Sequence, residues 1–140
     1  MADTNLKVRL ILYNKGSILL LRQKKSLGGN YTLVGGTIEN TEYALSALIR
    51  EAEEEAGLLL KADNLQLVHV LHKLTKSKGH RMTLYFKATI WDGNIKTGEP
   101  NKFKDVAWFS LEDLPPNLSE TVSHVLKEYR EGRMYSEFKG

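Results

Sequence analysis

The chain has 140 residues, which is long enough for one domain with a buried core. Its 41% hydrophobic and 26% charged residues are typical of globular proteins, and the absence of cysteine excludes disulfides, thiolate metal sites and cysteine nucleophiles. The net charge of +3 suits a small anionic substrate and is too small to indicate nucleic acid. We therefore expect one domain over residues 1–140 and no nucleic-acid partner.

Two features bear on the location of the protein. The first five residues lack the charged-then-apolar order of a signal peptide. No apolar run approaches the roughly 20 residues needed to cross a bilayer. The sequence therefore favours a cytoplasmic protein with no membrane partner, and it leaves open whether the chain is a monomer or a homodimer.

The first half of the chain predicts three strands and a helix. The strands are the β-rich runs 6–12, 17–21 and 31–34, and the first two flank a turn at 13–16. The helix is predicted to begin at Thr41, which suits an N-cap, and to end at Ala56. Gly57 suits the left-handed position just beyond a helix end. The apolar face of the helix, which we expect to pack on a sheet, is formed by Leu45, Leu48, Ile49 and Ala52.

The second half predicts three further strands and a second helix. The strands are the runs 65–74, 82–91 and 103–109. A basic stretch links the first two of them. The second helix begins near Ser119 and ends at about Glu131. Strands and helices mixed in this way indicate an α+β sandwich.

The first helix carries four glutamates within five residues, at positions 51, 53, 54 and 55. At about 100° per residue, Glu51, Glu54 and Glu55 share one helix face. Like charges placed this way repel each other, so a solvated helix gains nothing from them. A hard divalent cation reverses the sign of that interaction, because Mg²⁺ and Mn²⁺ take carboxylate oxygens. The helix therefore indicates a metal site.

The spacing of residues around this helix resembles the Nudix box. The box reads Gly-x5-Glu-x7-Arg-Glu-U-x-Glu-Glu-x-Gly-U, where U is a bulky aliphatic residue. The matching positions are Gly36, Glu42, Arg50, Glu51, Ala52, Glu54, Glu55, Gly57 and Leu58. Every charged and glycine position matches, and Ala52 is smaller than the usual U. The length and element order of the chain are also similar to those of a single MutT-like Nudix domain.

The resemblance implies a fold and a set of roles. The implied fold is the Nudix α/β/α sandwich, in which a mixed sheet lies between helices and a catalytic loop–helix–loop carries the box. The implied metal ligands are Glu51, Glu54, Glu55 and the carbonyl of Gly36. Arg50 is implied to orient these carboxylates through ion pairs, with Glu42 as a supporting acid. The expected cofactor is Mg²⁺, with Mn²⁺ as the alternative, and water is the expected nucleophile.

Four residues outside the helix are further candidates for the site. Arg22 stands where MutT-like enzymes often have a phosphate-contacting arginine, although strand-end arginines are also common surface charges. Gly35, with Gly36, lets the backbone turn tightly into the loop that meets the substrate. Glu99 is the best acidic candidate for a loop ligand or base. Trp108 is either a wall of the base pocket or a core residue.

A second segment favours a nucleoside triphosphate as the substrate. Residues 99–102, 108–109 and 114–115 resemble the Glu-Pro-x-Lys…Trp-Phe…Leu-Pro pattern of the Nudix nucleoside-triphosphate diphosphatases. The expected reaction is hydrolysis of a nucleoside diphosphate linked to a group X. The favoured substrate is a (deoxy)nucleoside triphosphate, which yields the monophosphate and pyrophosphate.

Two other functions remain open at this point. One is hydrolysis of ADP-ribose or another nucleotide sugar, although His72 stands where ADP-ribose enzymes usually have a proline. The other is a non-catalytic module that senses a nucleotide. Such a sensor is expected to have lost carboxylates of the box, and all of them are present here.

Overall fold

The computed structural model describes residues 4–77 and 79–140. The strands are β1 (Thr4–Asn14), β2 (Ser17–Gln23), β3 (Tyr31–Thr32), β4 (Val34–Thr37), β5 (Leu58–Leu59), β6 (Gln66–Leu74), β7 (His80–Ala88), β8 (Asp92–Gly93), β9 (Phe103–Ser110) and β10 (Tyr135–Lys139). The helices are α1 (Ala44–Ala56) and α2 (Glu120–Arg130). Short 3-10 turns lie at Lys25–Leu27 and Ala62–Asn64. The predicted α+β class is confirmed.

Strand β1 is the centre of a mixed sheet. The sheet runs in the order β10-β6-β7-β1-β2-β3, with β4 paired to β1 and β9 paired to β2. β1 is parallel to β7 along one edge. Along the other edge it is antiparallel to β4 over residues 7–10 and to β2 at its end. Residues of β1 therefore lie one strand away from both β4 and β7.

A two-residue turn closes the first hairpin. Lys15 and Gly16 have φ angles of 50° and 84°. Positive φ at both turn positions suits the twist of two antiparallel strands. Tyr13 pairs with Ile18 and Asn14 pairs with Ser17. The turn therefore consists of residues 15 and 16, two fewer than the four predicted at 13–16.

The two helices cover opposite faces of the sheet. Val8, Leu10 and Leu12 of β1 pack in an apolar cluster with α1, which we call the α1-side cluster. Ile11 of β1 packs in a second cluster with α2, the α2-side cluster. Alternate residues of a strand point to opposite faces, so β1 supplies both clusters. The predicted sandwich, with the mixed sheet between helices, is confirmed.

Helix α1 begins later than predicted. It starts at Ala44, and residues 39–42 form a separate turn before it. In this turn the Glu42 N–H donates to the Glu39 carbonyl (3.0 Å), and the Glu39 N–H donates to Glu42 Oε1 (3.1 Å). The prediction of Thr41 as the N-cap is wrong because this turn breaks the helix, and Tyr43 occupies the cap position. Gly57 has φ 69°, which confirms the left-handed helix end.

The predicted strand over 82–91 also ends early. β7 stops at Ala88, because the chain then turns so that Asp92–Gly93 pairs with Leu58–Leu59 just after α1.

Strand β10 is absent from the prediction. It pairs in parallel with β6 at the sheet edge, where Ser136 Oγ lies 2.7 Å from His69 Nε2. Neither helix in the described parts of the chain is long and apolar enough to span a bilayer.

Trp108 provides a test of this packing. It lies half-buried on β9, packs against the α1-side cluster, and its ring centroid is 5.5 Å from that of Trp91. We expect Trp108→Ala to lower the free energy of unfolding by about 3 kcal/mol, because a large ring leaves the cluster. Urea unfolding measures this change. Unchanged stability together with a raised KM would instead assign Trp108 to the substrate pocket.

Candidate active site

Arg50 gathers the carboxylates of the site. Its Nε and Nη2 donate to the two oxygens of Glu42, at 2.7 and 2.9 Å. Its Nη1 donates to Glu51 (2.9 Å) and to Glu54 (3.3 Å). These hydrogen bonds lower the pKa of Glu42 to about 2 and raise the pKa of Arg50. Because a guanidinium binds carboxylates in a fixed fork, Arg50 sets the positions of all three acids.

Glu55 faces β4 and is only 5% exposed. One of its oxygens accepts a hydrogen bond from the Gly35 N–H at 2.8 Å. Burial nevertheless raises the pKa of Glu55 to about 7, and the negative charges of Glu51 and Glu99 add to the rise against the opposing charge of Arg9. Burial likewise raises the pKa of Glu51. The site therefore holds negative charge that its own hydrogen bonds compensate only in part.

Gly36 lets the Glu51 carboxylate approach the backbone. A Cβ atom at this position would lie 2.6 Å from Cδ of Glu51, closer than nonbonded carbon atoms come. Any other residue would therefore displace the carboxylate, and glycine leaves it beside the β4 backbone. Three carboxylates and a backbone carbonyl are the oxygen donors that hard divalent cations take.

Two of the predicted metal-binding carboxylates, Glu51 and Glu54, are directed at Arg50. Within residues 4–77 and 79–140, no three His, Cys, Asp or Glu side chains stand at metal-binding spacing. Glu51 and Glu54 both contact the Arg50 guanidinium, so metal binding requires rotation of these side chains. The chemistry of the donor set fits a divalent cation, and the ligand roles of Glu51, Glu54, Glu55 and Gly36 stay predictions.

The loop before β9 brings Glu99 to the same place. The Lys96 N–H donates to the Ala56 carbonyl (3.0 Å), and the Gly98 N–H donates to the Glu55 carbonyl (2.9 Å). These bonds fasten the loop to the end of α1. The charge of Glu99 helps to raise the pKa of both Glu51 and Glu55, which places it near them. Its catalytic role stays a prediction.

A cationic cavity of about 180 Å³ opens on the α2 side of the sheet. Its charged lining residues are Lys7, Arg9, Lys73 and Arg81. Its neutral lining residues are Gln23, Asn30, Thr32, Thr83, Tyr85, Ser119, Thr121 and Val122. No aspartate or glutamate among the described residues lines it. We call this site the cationic cavity.

The cationic cavity adjoins the carboxylates at Gly35. Arg9 Nη1 donates to the carbonyls of Leu33 (3.0 Å) and Gly35 (3.3 Å), while the Gly35 N–H donates to Glu55. Burial lowers the pKa of Lys7, and so do the charges of Arg9 and Arg81, while Glu51 and Glu55 oppose the change. Lys7 and Arg9 thus form the side of the cavity nearest the acidic site.

Sequence reasoning missed these four cations. A signal for two of them was present in β1, where Lys7 and Arg9 alternate with Val8 and Leu10. Cations that alternate with buried residues lie on one face of a strand. Arg81 and Lys73 join them only through strand pairing, which the sequence alone does not show.

Two predicted substrate residues lie apart from the cationic cavity. The guanidinium of Arg22 lies 5.6 Å from the ring centroid of Tyr31, in a separate groove that Phe109 and residues 113–117 also line. Trp108 packs on the α1 side of the sheet, whereas the cavity opens on the α2 side. The substrate-binding roles of Arg22 and Trp108 stay predictions.

Comparison with known proteins places the chain in a family. Residues 3–129 match the NUDIX domain. This chain belongs to the Nudix family. It is 34% identical over 108 residues to the NAD-capped RNA hydrolase NudC of Pseudomonas putida, covering 76% of this chain and 37% of that protein. It is 29% identical over 120 residues to the ADP-ribose pyrophosphatase of Methanocaldococcus jannaschii, covering 85% of this chain and 69% of that protein.

A solved structure agrees with the Nudix assignment. The MutT NUDIX hydrolase from Burkholderia pseudomallei superposes with a TM-score of 0.81 at 25% identity, covering 89% of this chain and 97% of that one. The predicted family, the predicted fold and the predicted class, a Nudix pyrophosphohydrolase, are confirmed at the level of the family. Nudix hydrolases generally use divalent metal ions.

The raised pKa of Glu55 predicts a pH effect on the metal-free protein. The folded state holds a proton on Glu55 between the ordinary pKa of 4.5 and about 7, where the unfolded state has released it. Stability in EDTA should therefore be full below this window and fall as the pH rises through it, by on the order of 2–3 kcal/mol. Thermal melting across this range measures the loss.

The matched variants are Glu55→Gln and Glu53→Gln. The glutamine introduced by Glu55→Gln keeps an acceptor for the Gly35 N–H and does not ionise, so the melting temperature of this variant should change less with pH. Glu53 lies exposed on the same helix, so its variant should follow the wild type. Parallel pH profiles for the wild type and Glu55→Gln would contradict the assignment.

Proposed function

We propose that this Nudix domain hydrolyses a phosphoanhydride in a nucleoside diphosphate linked to a group X, with a divalent metal ion. The observation that carries the proposal is the position of Gly35. Its N–H donates to Glu55 of the acidic site, and its carbonyl accepts from Arg9 of the cationic cavity. A metal-binding group and an anion-binding group thus meet at one residue, as the substrate of such a reaction requires.

The residues of the acidic site would hold the metal. Glu51, Glu54, Glu55 and the carbonyl of Gly36 supply the oxygens, and Mg²⁺, with Mn²⁺ as the alternative, is the cation they suit. When bound, such an ion neutralises phosphate charge and lowers the pKa of a water molecule. Arg50 positions the carboxylates, and Glu99 is the candidate acceptor for the proton of the attacking water.

The cations of β1 would bind the phosphates. Lys7 and Arg9 lie between the carboxylates and the cavity, so they offset the negative charge of a phosphate chain that reaches both. Placing fixed charges where the substrate is most anionic is a main source of rate in phosphoryl chemistry. The whole acidic site is present, which favours an enzyme over a nucleotide sensor.

The favoured substrate within this class is a (deoxy)nucleoside triphosphate, which would yield the monophosphate and pyrophosphate. Support comes from the Glu99-Pro100…Trp108-Phe109 resemblance. The cationic lining of the cavity suits the phosphates of this substrate and of the alternative alike. The alternative is ADP-ribose or a nucleotide sugar, which the M. jannaschii relative favours. That relative matches 85% of the present chain.

Four further expectations stay predictions. They are a single domain over 1–140, a monomer or homodimer, a cytoplasmic location and the lack of a nucleic-acid partner. The last one is in tension with the relatives named NAD-capped RNA hydrolase, which act on an RNA end by that name. The present chain spans 37% of the length of such a relative. The substrate panel described below therefore includes a short NAD-capped RNA.

The metal role predicts the effect of two substitutions. We expect Glu54→Gln and Glu55→Gln each to lower kcat by at least about a hundredfold, because losing a metal-bound charge removes several kcal/mol of transition-state stabilisation. Steady-state kinetics with Mg²⁺ and with EDTA measures this. Glu53→Gln, the same change on the exposed side of α1, should retain wild-type kcat. Full turnover of the wild type in EDTA would exclude metal dependence.

The triphosphate assignment predicts an order of substrates. We expect kcat/KM for at least one nucleoside triphosphate to exceed that for ADP-ribose by about tenfold, roughly 1.4 kcal/mol in transition-state binding. Pyrophosphate should be released intact. The panel includes the common nucleoside triphosphates, ADP-ribose, UDP-glucose and a short NAD-capped RNA. A tenfold preference for ADP-ribose over every triphosphate would replace the favoured substrate by the alternative and leave the reaction class standing.

A further inference from the structure

The cationic cavity has two ends. Its near end is formed by Lys7 and Arg9 on β1, which is paired with β4 beside the carboxylates. Its far end is formed by Arg81 on β7 and Lys73 on β6, two residues that pair across those strands. The strands lie in the order β4-β1-β7-β6, so the two cations of the far end are progressively further from the acidic site.

Strand spacing gives the scale of this separation. Neighbouring strands lie about 4.8 Å apart, so β7 is about 10 Å and β6 about 14 Å from β4. The backbones that carry the near and far cations are therefore one or two strand spacings, roughly 5–10 Å, apart. A substrate with phosphates at two positions could place one at each end of the cavity.

Arg81 brings a partly buried positive charge to the far end. Its Nε is shielded from solvent, so Arg81 lines the cavity through its other atoms. Burial is the largest cause of the lowered pKa of Lys7 and of Lys73, and the positive charge of Arg81 adds to both shifts.

Helix α2 adds to the same end. Ser119 and Thr121, at the start of α2, line the cavity, and Lys73 Nζ donates to Thr121 Oγ1 at 2.8 Å. The Ser119 hydroxyl makes no capping hydrogen bond to the helix. Helix N-termini favour anions, because their first N–H groups lack partners within the helix. Two side-chain cations and a helix start therefore converge.

We propose that Arg81, Lys73 and the start of α2 bind a second phosphate of the substrate, a phosphomonoester on a sugar hydroxyl, separate from the diphosphate that is cleaved. The proposal rests on the reaction class of the proposed function, because it takes the cleaved diphosphate to lie at the carboxylates. It concerns the substrates of that class that carry a sugar phosphomonoester, which nucleoside triphosphates lack. The volume of about 180 Å³ suits it, since pockets for whole drug-sized ligands have about 300–1,000 Å³. Arg81 and Lys73 are then specificity residues, remote from the cleaved bond.

Matched substrate pairs test the proposal by kinetics. NADP⁺ and NAD⁺ differ only in a 2′-phosphate, and coenzyme A and dephospho-coenzyme A differ only in a 3′-phosphate. With Mg²⁺, the wild type should show a kcat/KM at least about tenfold higher for the phosphorylated member of one pair, the effect of a charge-assisted contact. Arg81→Gln and Lys73→Gln should each remove this preference and change kcat/KM on the unphosphorylated member by less than about threefold.

The control variants keep charge loss and folding separate from the site. Lys87→Gln removes a lysine from the same strand as Arg81, at a side chain that lies over the Tyr13 ring and outside the cavity lining. Arg130→Gln removes an arginine that pairs with Glu112. Both should retain the preference. Arg81→Lys should restore part of it, and melting temperatures show whether each variant is folded.

A binding measurement tests the subsite without catalysis. In EDTA, calorimetry with adenosine 2′,5′-bisphosphate, adenosine 3′,5′-bisphosphate and AMP should show at least about tenfold tighter binding of one bisphosphate than of AMP. Arg81→Gln should bring that affinity down to the affinity for AMP.

Two results would overturn the proposal. One is an enzyme active on nucleoside diphosphate derivatives that treats both members of both pairs alike and binds the bisphosphates no better than AMP. The other is a loss in Arg81→Gln that is equal for every substrate, which would make Arg81 a general phosphate ligand. Failure to hydrolyse any substrate in the whole panel would instead reject the proposed function, and the calorimetry would still decide the subsite.

Discussion

The acidic site depends on one guanidinium. Without Arg50, Glu42, Glu51 and Glu54 would repel each other at the end of a loop and on one helix face, and each would turn towards water. Arg50 compensates them with four hydrogen bonds, and the bidentate pair with Glu42 anchors the loop to the helix. Charge-assisted, partly buried pairs of this kind fix geometry more than they add stability. The loop turn at 39–42, which shortens α1, is a consequence of that anchor.

The alternation along β1 connects this site to the substrate side. Val8 and Leu10 fill the α1-side cluster, so Lys7 and Arg9 point to the other face and line the cavity. The same strand therefore holds the catalytic helix through apolar packing and presents cations to the ligand. A one-residue shift in its register would exchange the two faces and lose both. The fold and the site thus share a single register constraint.

Local patterns were readable from the sequence, and long-range pairings were not. The box and the helix end at Gly57 depend on spacing within one segment, so the predictions for them agree with the structure. The strand predicted over 31–34 is instead two short strands with different partners, β3 on β2 and β4 on β1, and the strand predicted over 82–91 ends at Ala88. Thr41 was misassigned because the anchor between Glu42 and Arg50 overrides an ordinary N-cap preference. β10 was missed because its place depends on contacts with β6 and on the Ser136–His69 hydrogen bond, far apart in the chain.

This difference has a consequence for substrate choice. The predicted metal ligands come from β4 and α1, within the single segment that carries the box. The cations of the cavity come from β1, β6 and β7, so they can be substituted without changing α1. Relatives that share this domain carry names for different substrates, NAD-capped RNA and ADP-ribose. If the cavity binds the substrate as proposed, the residues that line it, Arg81 among them, are the first positions at which to look for a difference in substrate.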